Sequence, residues 1–300
     1  MMLKLTNHKA MYRIHLPEKE KSYFFKIVTA SRTIIGSKMT EFIQEKIIEL
    51  RLKEDASDHF IFQYNLHDHK MRGTSIIHQW IDDMEELQSE IMFATDKYGS
   101  LVDILNLPQI QKKWDLIKKT IKQKYPTGSD LMISETTRLL KDKTQFLESF
   151  TGYSSWRFFF QTWFAELNEK STNELFLKNY FGSIDLPLII SSKIEDNTVK
   201  NTGILDAKKF DRKAFARMLK DLTDIYNIDA TLSVDMEEKY KFGEKHFMEN
   251  AEMFIETAVN EWYKVTNAHQ LTQLTLDEAE YLKQENLKLK NLEKRTFVIE

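Results

Sequence analysis

The spacing of apolar residues changes several times along the chain, and each change predicts a different element. Between residues 46 and 66 the alternation is strict: Ile48, Leu50 and Leu52 are separated by charged residues, and Phe60, Phe62, Tyr64 and Leu66 take every second place in the next run. Side chains on a strand point to opposite faces in turn, so a period of two predicts strands with one covered face. The turn formers in Glu54-Asp55-Ala56-Ser57-Asp58 predict that the two runs pair as an antiparallel hairpin. The apolar set then faces a core, while Glu49, Arg51, Lys53, Gln63 and Asn65 face outward. A sheet of this kind needs helices or a second sheet above it.

Two further strands are predicted at 11–16 and 23–35, and residues 37–45, which fit either period, are read as strand entering the hairpin. After Gly73 the spacing becomes three and four. Ile77, Trp80, Ile81, Met84, Leu87 and Ile91 predict an amphipathic helix over 76–91. A second hairpin is read within 92–105. Pro108 opens a helix with Ile110, Trp114, Ile117 and Ile121 on one side, ending at the turn 125–128. The stretch 129–181 reads as helical throughout. Ser129 is its N-cap, Met132, Thr136, Leu139, Leu140 and Leu147 face inward, Gly152 is a break, 156–164 is an aromatic helical window, and 174–180 adds a last piece.

Strands return at 186–194 and 198–205, with Asn201-Thr202-Gly203 as a bulge or break in the second. Asp211 caps a helix reaching Tyr226, and strands are read at 230–242 and within 247–276. Thr275 and Glu278 have the spacing of a capping box and open a helix to about residue 294. The predicted fold class is α+β, a large antiparallel sheet with a helical block (about 108–182) covering it or inserted into it. The chain is expected to form one domain over 1–300, with a β-rich region over 1–105, a helical block over 106–183 and an α/β region over 184–300.

Composition then removes classes of function. With 42% hydrophobic and 30% charged residues the chain belongs to the folded class. Eight glycines and four prolines leave little for Gly-rich phosphate loops, and a net charge of −3 supplies no field for nucleic acid, so no nucleic-acid partner is expected. The absence of cysteine removes disulfides, thiolate metal sites and thiol nucleophiles. No run approaches the roughly 18 apolar residues of a membrane span, and the first twelve residues lack the apolar core of a leader. The expectation is a cytoplasmic protein with no membrane span.

Three groups of residues invite chemistry. His59, His67 and His69 share parity with Gln63 and Asn65, which places them on one strand face; an imidazole pair at two-residue spacing could hold Zn²⁺ or Cu²⁺ with a third ligand, although a hydrated face is the plainer reading. Asp82, Asp83, Glu85 and Glu86 crowd one helix, while Lys112, Lys118 and Lys119 stand among the lysines of the next, so the two faces are predicted to pair within the fold or between copies. Asp82, Asp83, Glu86, Lys112, Lys118 and Lys119 are therefore interface candidates. In 156–164, helical spacing turns Trp156, Phe159, Phe160, Trp163 and Phe164 inward and leaves Arg157 and Phe158 outside as anchors for a partner. No catalytic set and no cofactor motif is identified.

These features point to a non-catalytic structural or interaction component of a multi-protein assembly, acting through protein partners or copies of itself. A bacterial secretion or contractile injection apparatus is the setting expected for it. The alternative is a carrier for an apolar ligand enclosed between sheet and helices, in a cavity lined by Phe60, Phe62, Trp156 and Phe160.

Overall fold

The computed structural model describes residues 11–296 apart from 13, 15, 74, 75, 166, 224–228 and 244–246. The chain runs through β1 (Met11–Tyr12), β2 (Ser22–Ile35), β3 (Lys38–Asp55), β4 (His59–Gly73), α1 (Ile76–Glu85), β5 (Glu90–Asp96) and β6 (Leu101–Ile104). Next come α2 (Leu107–Lys124), α3 (Ser129–Lys141), α4 (Lys143–Phe150), a 3₁₀ turn (Ser155–Phe158), β7 (Leu167–Asn168) and β8 (Lys170–Phe181). It closes with β9 (Ile184–Glu195), β10 (Thr198–Leu205), α5 (Arg212–Thr223), β11 (Ser233–Phe242), β12 (Met248–Val259), β13 (Tyr263–Leu274) and α6 (Leu276–Thr296).

Eleven of these strands form one antiparallel sheet in the order β6-β5-β4-β3-β2-β13-β12-β11-β10-β9-β8. The fold is α+β. Strands from the two ends of the chain meet at the centre, where β13 pairs with β2 along its whole length. Gly36, at φ +58° between β2 and β3, supplies the left-handed turn residue that a tight hairpin requires.

Alternation places Tyr23, Phe25 and Ile27 of β2 with Ile48, Leu50, Leu52, Phe60, Phe62 and Tyr64 on one buried face. Trp114, Ile121, Leu140, Phe146, Phe150, Trp156 and Phe158 pack against it from α2, α3, α4 and the 3₁₀ turn. A second cluster lies on the same face around Phe215 and Leu219 of α5, with Leu186, Leu188, Met236, Ile255 and Tyr263. Among the described residues the opposite face is open, except where α6 packs on β2, β4 and β13. There Ala279 is buried and Asn286 donates to Asp68 at 2.6 Å.

The strand readings of 37–45 and of 247–276 agree with β3, β12 and β13. The capping box forms too, with the Glu278 N–H donating to Thr275 Oγ1 at 3.2 Å and the Thr275 N–H to the Glu278 carboxylate at 2.8 Å. Several expectations fail, each for a local reason. The helix over 76–91 stops at Glu85, because Ile91 lies in β5 opposite Tyr64. Residues 174–180 are strand, not helix: β8 has polar Ser171 and Asn173 on its covered side, which hides the alternation. The aromatic window 156–164 is a single 3₁₀ turn followed by irregular turns. Gly128, at φ +81°, precedes α3 as its cap, and Ser129 is the first helical residue. Asp142 ends α3 and caps α4 by accepting from the Gln145 N–H, so the stripe through Leu147 is interrupted.

Asn201-Thr202-Gly203 does not break β10, which pairs evenly with β9 throughout; Gly203 is there because Met236 and Ile190 occupy the space a Cβ would need. Of the strand read at 11–16, only Met11–Tyr12 is strand, and residues 13 and 15 lie outside the described residues. So do Tyr226 and the first ten residues, on which the leader expectation rests.

Candidate functional site: the open face of the sheet

The three histidines do not come together. An irregularity in the β3–β4 register between Ile47 and Ile48 sets His67 out of step, so that it stays on the open side with its Nε2 3.2 Å from Glu49, whereas His69 turns to the covered side, 3.3 Å from Asp82. His59 sits at the far end of β4 beside Asp58, at 2.8 Å. Among the described residues no group of three His, Cys, Asp or Glu side chains could hold a metal ion.

Glu49, expected outside, is buried on the open face. Burial works to raise its pKa, but hydrogen bonds from Ser22, Arg51, Asn65 and His67 outweigh it and hold the carboxyl at about 2. The acidic and basic helices do meet: Lys124 pairs with Asp83 at 2.7 Å, and Lys113 donates to the Glu86 carbonyl at 2.5 Å. Lys118 pairs within α2 with Asp115, while Lys112, Lys119 and the Glu86 side chain are exposed.

Arg157 and Phe158 are not surface anchors. Phe158 is fully buried, and the Arg157 guanidinium turns inward to Glu238, with Nε 2.6 Å from the carboxylate. Outside a regular helix, neighbouring side chains can enter the core from different directions, and that is why helical spacing misplaced them.

Arg157 and Glu238 belong to a polar row that crosses the covered face between the two apolar clusters. Ser192, Asn201, Glu238, Met253, His269, Thr29 and Gln44 stand in register on seven successive strands. Asn201 Nδ2 donates to Glu238 at 2.9 Å, Thr29 Oγ1 lies 3.0 Å from His269 Nδ1, and Gln44 donates to Glu85 at 3.0 Å. Beside the row, Lys46 reaches Glu85 at 2.7 Å, and both side chains are buried. A sequence signal existed for two of these: Glu238 and Lys46 share strand parity with apolar neighbours, which puts a charge at an inward position.

Burial, helped by the Lys46 charge, holds His269 down at about 4. The unfolded chain therefore binds more protons than the folded one between pH 6.5 and 4, so stability contributed here is present at pH 7 and is lost as pH falls through that window. We expect a loss of about 3 kcal/mol from this residue between pH 7 and pH 4. Urea unfolding at pH 7 and pH 4 reads it, and His269→Gln should flatten the pH dependence over that range. An unchanged slope in the variant would assign the loss elsewhere.

The open face carries a groove. Two depressions, of about 640 and 420 Å³, share Ala30 and Ala268, which face each other across β2 and β13. Val28 and Phe254 extend the apolar floor, and Ile43 lies beside Ala30. Lys200, Lys239, Glu237 and Glu252 rim one end, while Arg32, Glu41 and Arg72 rim the other. Exposed Met39, Ile43, Ile204 and Phe176 stand on this same face.

The apolar space between sheet and helices is much smaller. It measures about 40 Å³ and is lined by Phe25, Phe62, Phe93, Phe158, Trp163 and their neighbours, against roughly 300–1,000 Å³ for pockets that take small molecules. Nothing in the sequence marked Ala30 and Ala268 as a pair. They are far apart in the chain, and only the β2–β13 register joins them.

No protein-family model matches the chain, and no curated protein matches it. Among solved structures it is similar to a chain described as "Lipid-protein interactions in lipovitellin", at 11% identity and a TM-score of 0.43, over 86% of this chain and 25% of that one. The chain thus spans about a quarter of that protein's length. No helix among the described residues is long and apolar enough to cross a membrane.

Proposed function

We propose that the protein is a non-catalytic interaction component of a multi-protein assembly, and that it takes an amphipathic helix of another protein on the open face of its sheet. One observation carries this reading: the groove over Ala30 and Ala268 lies on the face that already seats α6, while the opposite face is filled by its helices. Small residues on the floor let a helix approach closely. Charged side chains of both signs around the floor give it the polar rim usual at protein interfaces. The aliphatic Met39 and Ile43 beside it extend the apolar area beyond what scattered surface residues would give. Lys112, Lys119 and Glu86 are exposed on the helical side, away from this groove, and are not part of the proposed contact.

The test is crosslinking in the source organism, with a diazirine side chain at position 268 and a control at position 119. A discrete adduct with one other protein from position 268, mapped to a helical segment of that partner and missing from position 119, is the expected result. No adduct from 268, or the same adducts from both positions, would overturn the proposal.

A further inference from the structure

The two ends of the sheet are finished differently. β6 has only four residues, and α4 lies against it, with Lys143 reaching Asp103 at 2.8 Å. β8 is three times as long and, among the described residues, pairs with β9 on one side alone. Its register with β9 is unbroken from Lys170 to Leu177 and shifts only beyond that point. The Ile194 N–H donates to the Glu169 carbonyl at 2.9 Å, which fixes the phase of the ladder. Residues 171, 173, 175 and 177 turn their backbone groups to β9, so Lys170, Thr172, Glu174 and Phe176 present theirs to the free edge. A row of unpaired N–H and C=O groups is complementary to another strand.

We propose that this edge pairs with β8 of a second copy, antiparallel about a two-fold axis at Thr172, so that two eleven-stranded sheets become one continuous sheet. Charge favours this register over the one centred on Glu174, with Glu174 shared between Lys209 of its own chain, at 2.5 Å, and Lys170 of the other copy. Only residues whose backbone faces outward can exchange hydrogen bonds, and centring on Thr172 sets Lys170 of each copy opposite Glu174 of the other. Centring on Glu174 would set that carboxylate against itself and Lys170 against Lys178, two like-charge oppositions that a ladder disfavours. With Thr172 on the axis the side chains of Lys170, Thr172 and Glu174 all lie on the open face, where they are exposed. The interface is isologous, as in most two-fold dimers. It uses a surface separate from the groove and stands or falls independently of it.

Sedimentation velocity over a range of concentrations tests it. The wild-type chain is expected to sediment as a dimer. Thr172→Pro removes an N–H that faces away from β9, and it should give a folded monomer with unchanged far-UV circular dichroism. Lys170→Glu or Glu174→Lys alone should raise the dimer dissociation constant about tenfold, and the double variant Lys170→Glu/Glu174→Lys should return it close to the wild-type value. A wild-type chain that is monomeric at every concentration would overturn the proposal. So would a dimer indifferent to Thr172→Pro, or charge variants whose effects add instead of cancelling.

Discussion

Glu238→Ala is expected to destabilise the protein by about 3–5 kcal/mol, although the residue sits in mid-strand between the buried Met236 and Tyr240. Its side chain has no exposure at all. It accepts from Arg157 Nε at 2.6 Å and from Asn201 Nδ2 at 2.9 Å, and Arg157 is itself only slightly exposed. Truncation leaves a guanidinium buried without its counter-charge, and the desolvation cost of that group is then uncompensated. The pair is a poor source of net stability even though breaking it is expensive, since both charges gave up water to form it. Arg157→Met/Glu238→Met should therefore recover most of the loss. Urea unfolding of the two single variants and the double variant checks this. A cost below about 1 kcal/mol for Glu238→Ala would mean that water reaches the pair.

Phe158→Ala is expected to cost about 3–5 kcal/mol. The ring is fully buried and meets Tyr240 edge to face at 6.4 Å, and the Phe158 carbonyl accepts from Trp163 Nε1 at 3.0 Å. Removing the ring opens a cavity where the 3₁₀ turn meets the sheet, and the aromatic side chains around it cannot all collapse into the space. The value also separates two accounts of 156–164. A regular helix would leave Phe158 on the surface, where truncation costs within about 0.5 kcal/mol. Chemical denaturation of the variant, read as a shift in midpoint at constant slope, decides between them.

The contrast at Phe158 shows where sequence pattern carries structural information and where it stops. Where one strand face is wholly apolar, as at Phe60, Phe62 and Tyr64, a period of two was enough to assign both strand and face. Where the covered face is polar, as at Ser171 and Asn173 of β8, the same geometry leaves no periodic trace. One irregular residue at the β3–β4 junction undid the parity argument for His69, while His67 stayed on the open face with Asn65 and the strand pairing persisted on both sides. Long, dense aromatic runs are ambiguous for another reason: Trp156, Phe158 and Trp163 are all buried, and so no spacing among them reports a period.

The candidate site was the least legible feature, because its floor depends on a tertiary register. Ala30 and Ala268 are unremarkable strand residues until β2 and β13 pair, and small side chains give no hydropathy signal. The inward charges were legible in principle. Glu238 between Met236 and Tyr240, and Lys46 beside Ile48, break an apolar series at a covered position, and an inward charge needs a partner. Finding Arg157 as that partner required the fold.

The central claim is that one face of this sheet is filled by its own helices and the other is filled by a different protein. Crosslinking from paired positions in living cells bears on it most directly, with reactive side chains at Ala268 and Phe254 on the open face and at Lys119 and Leu131 on the helical side. The account predicts that both open-face positions capture the same partner, through neighbouring residues of one helix, and that the helical-side positions capture none. Capture from Lys119 and Leu131 with silence from Ala268 and Phe254 would contradict it.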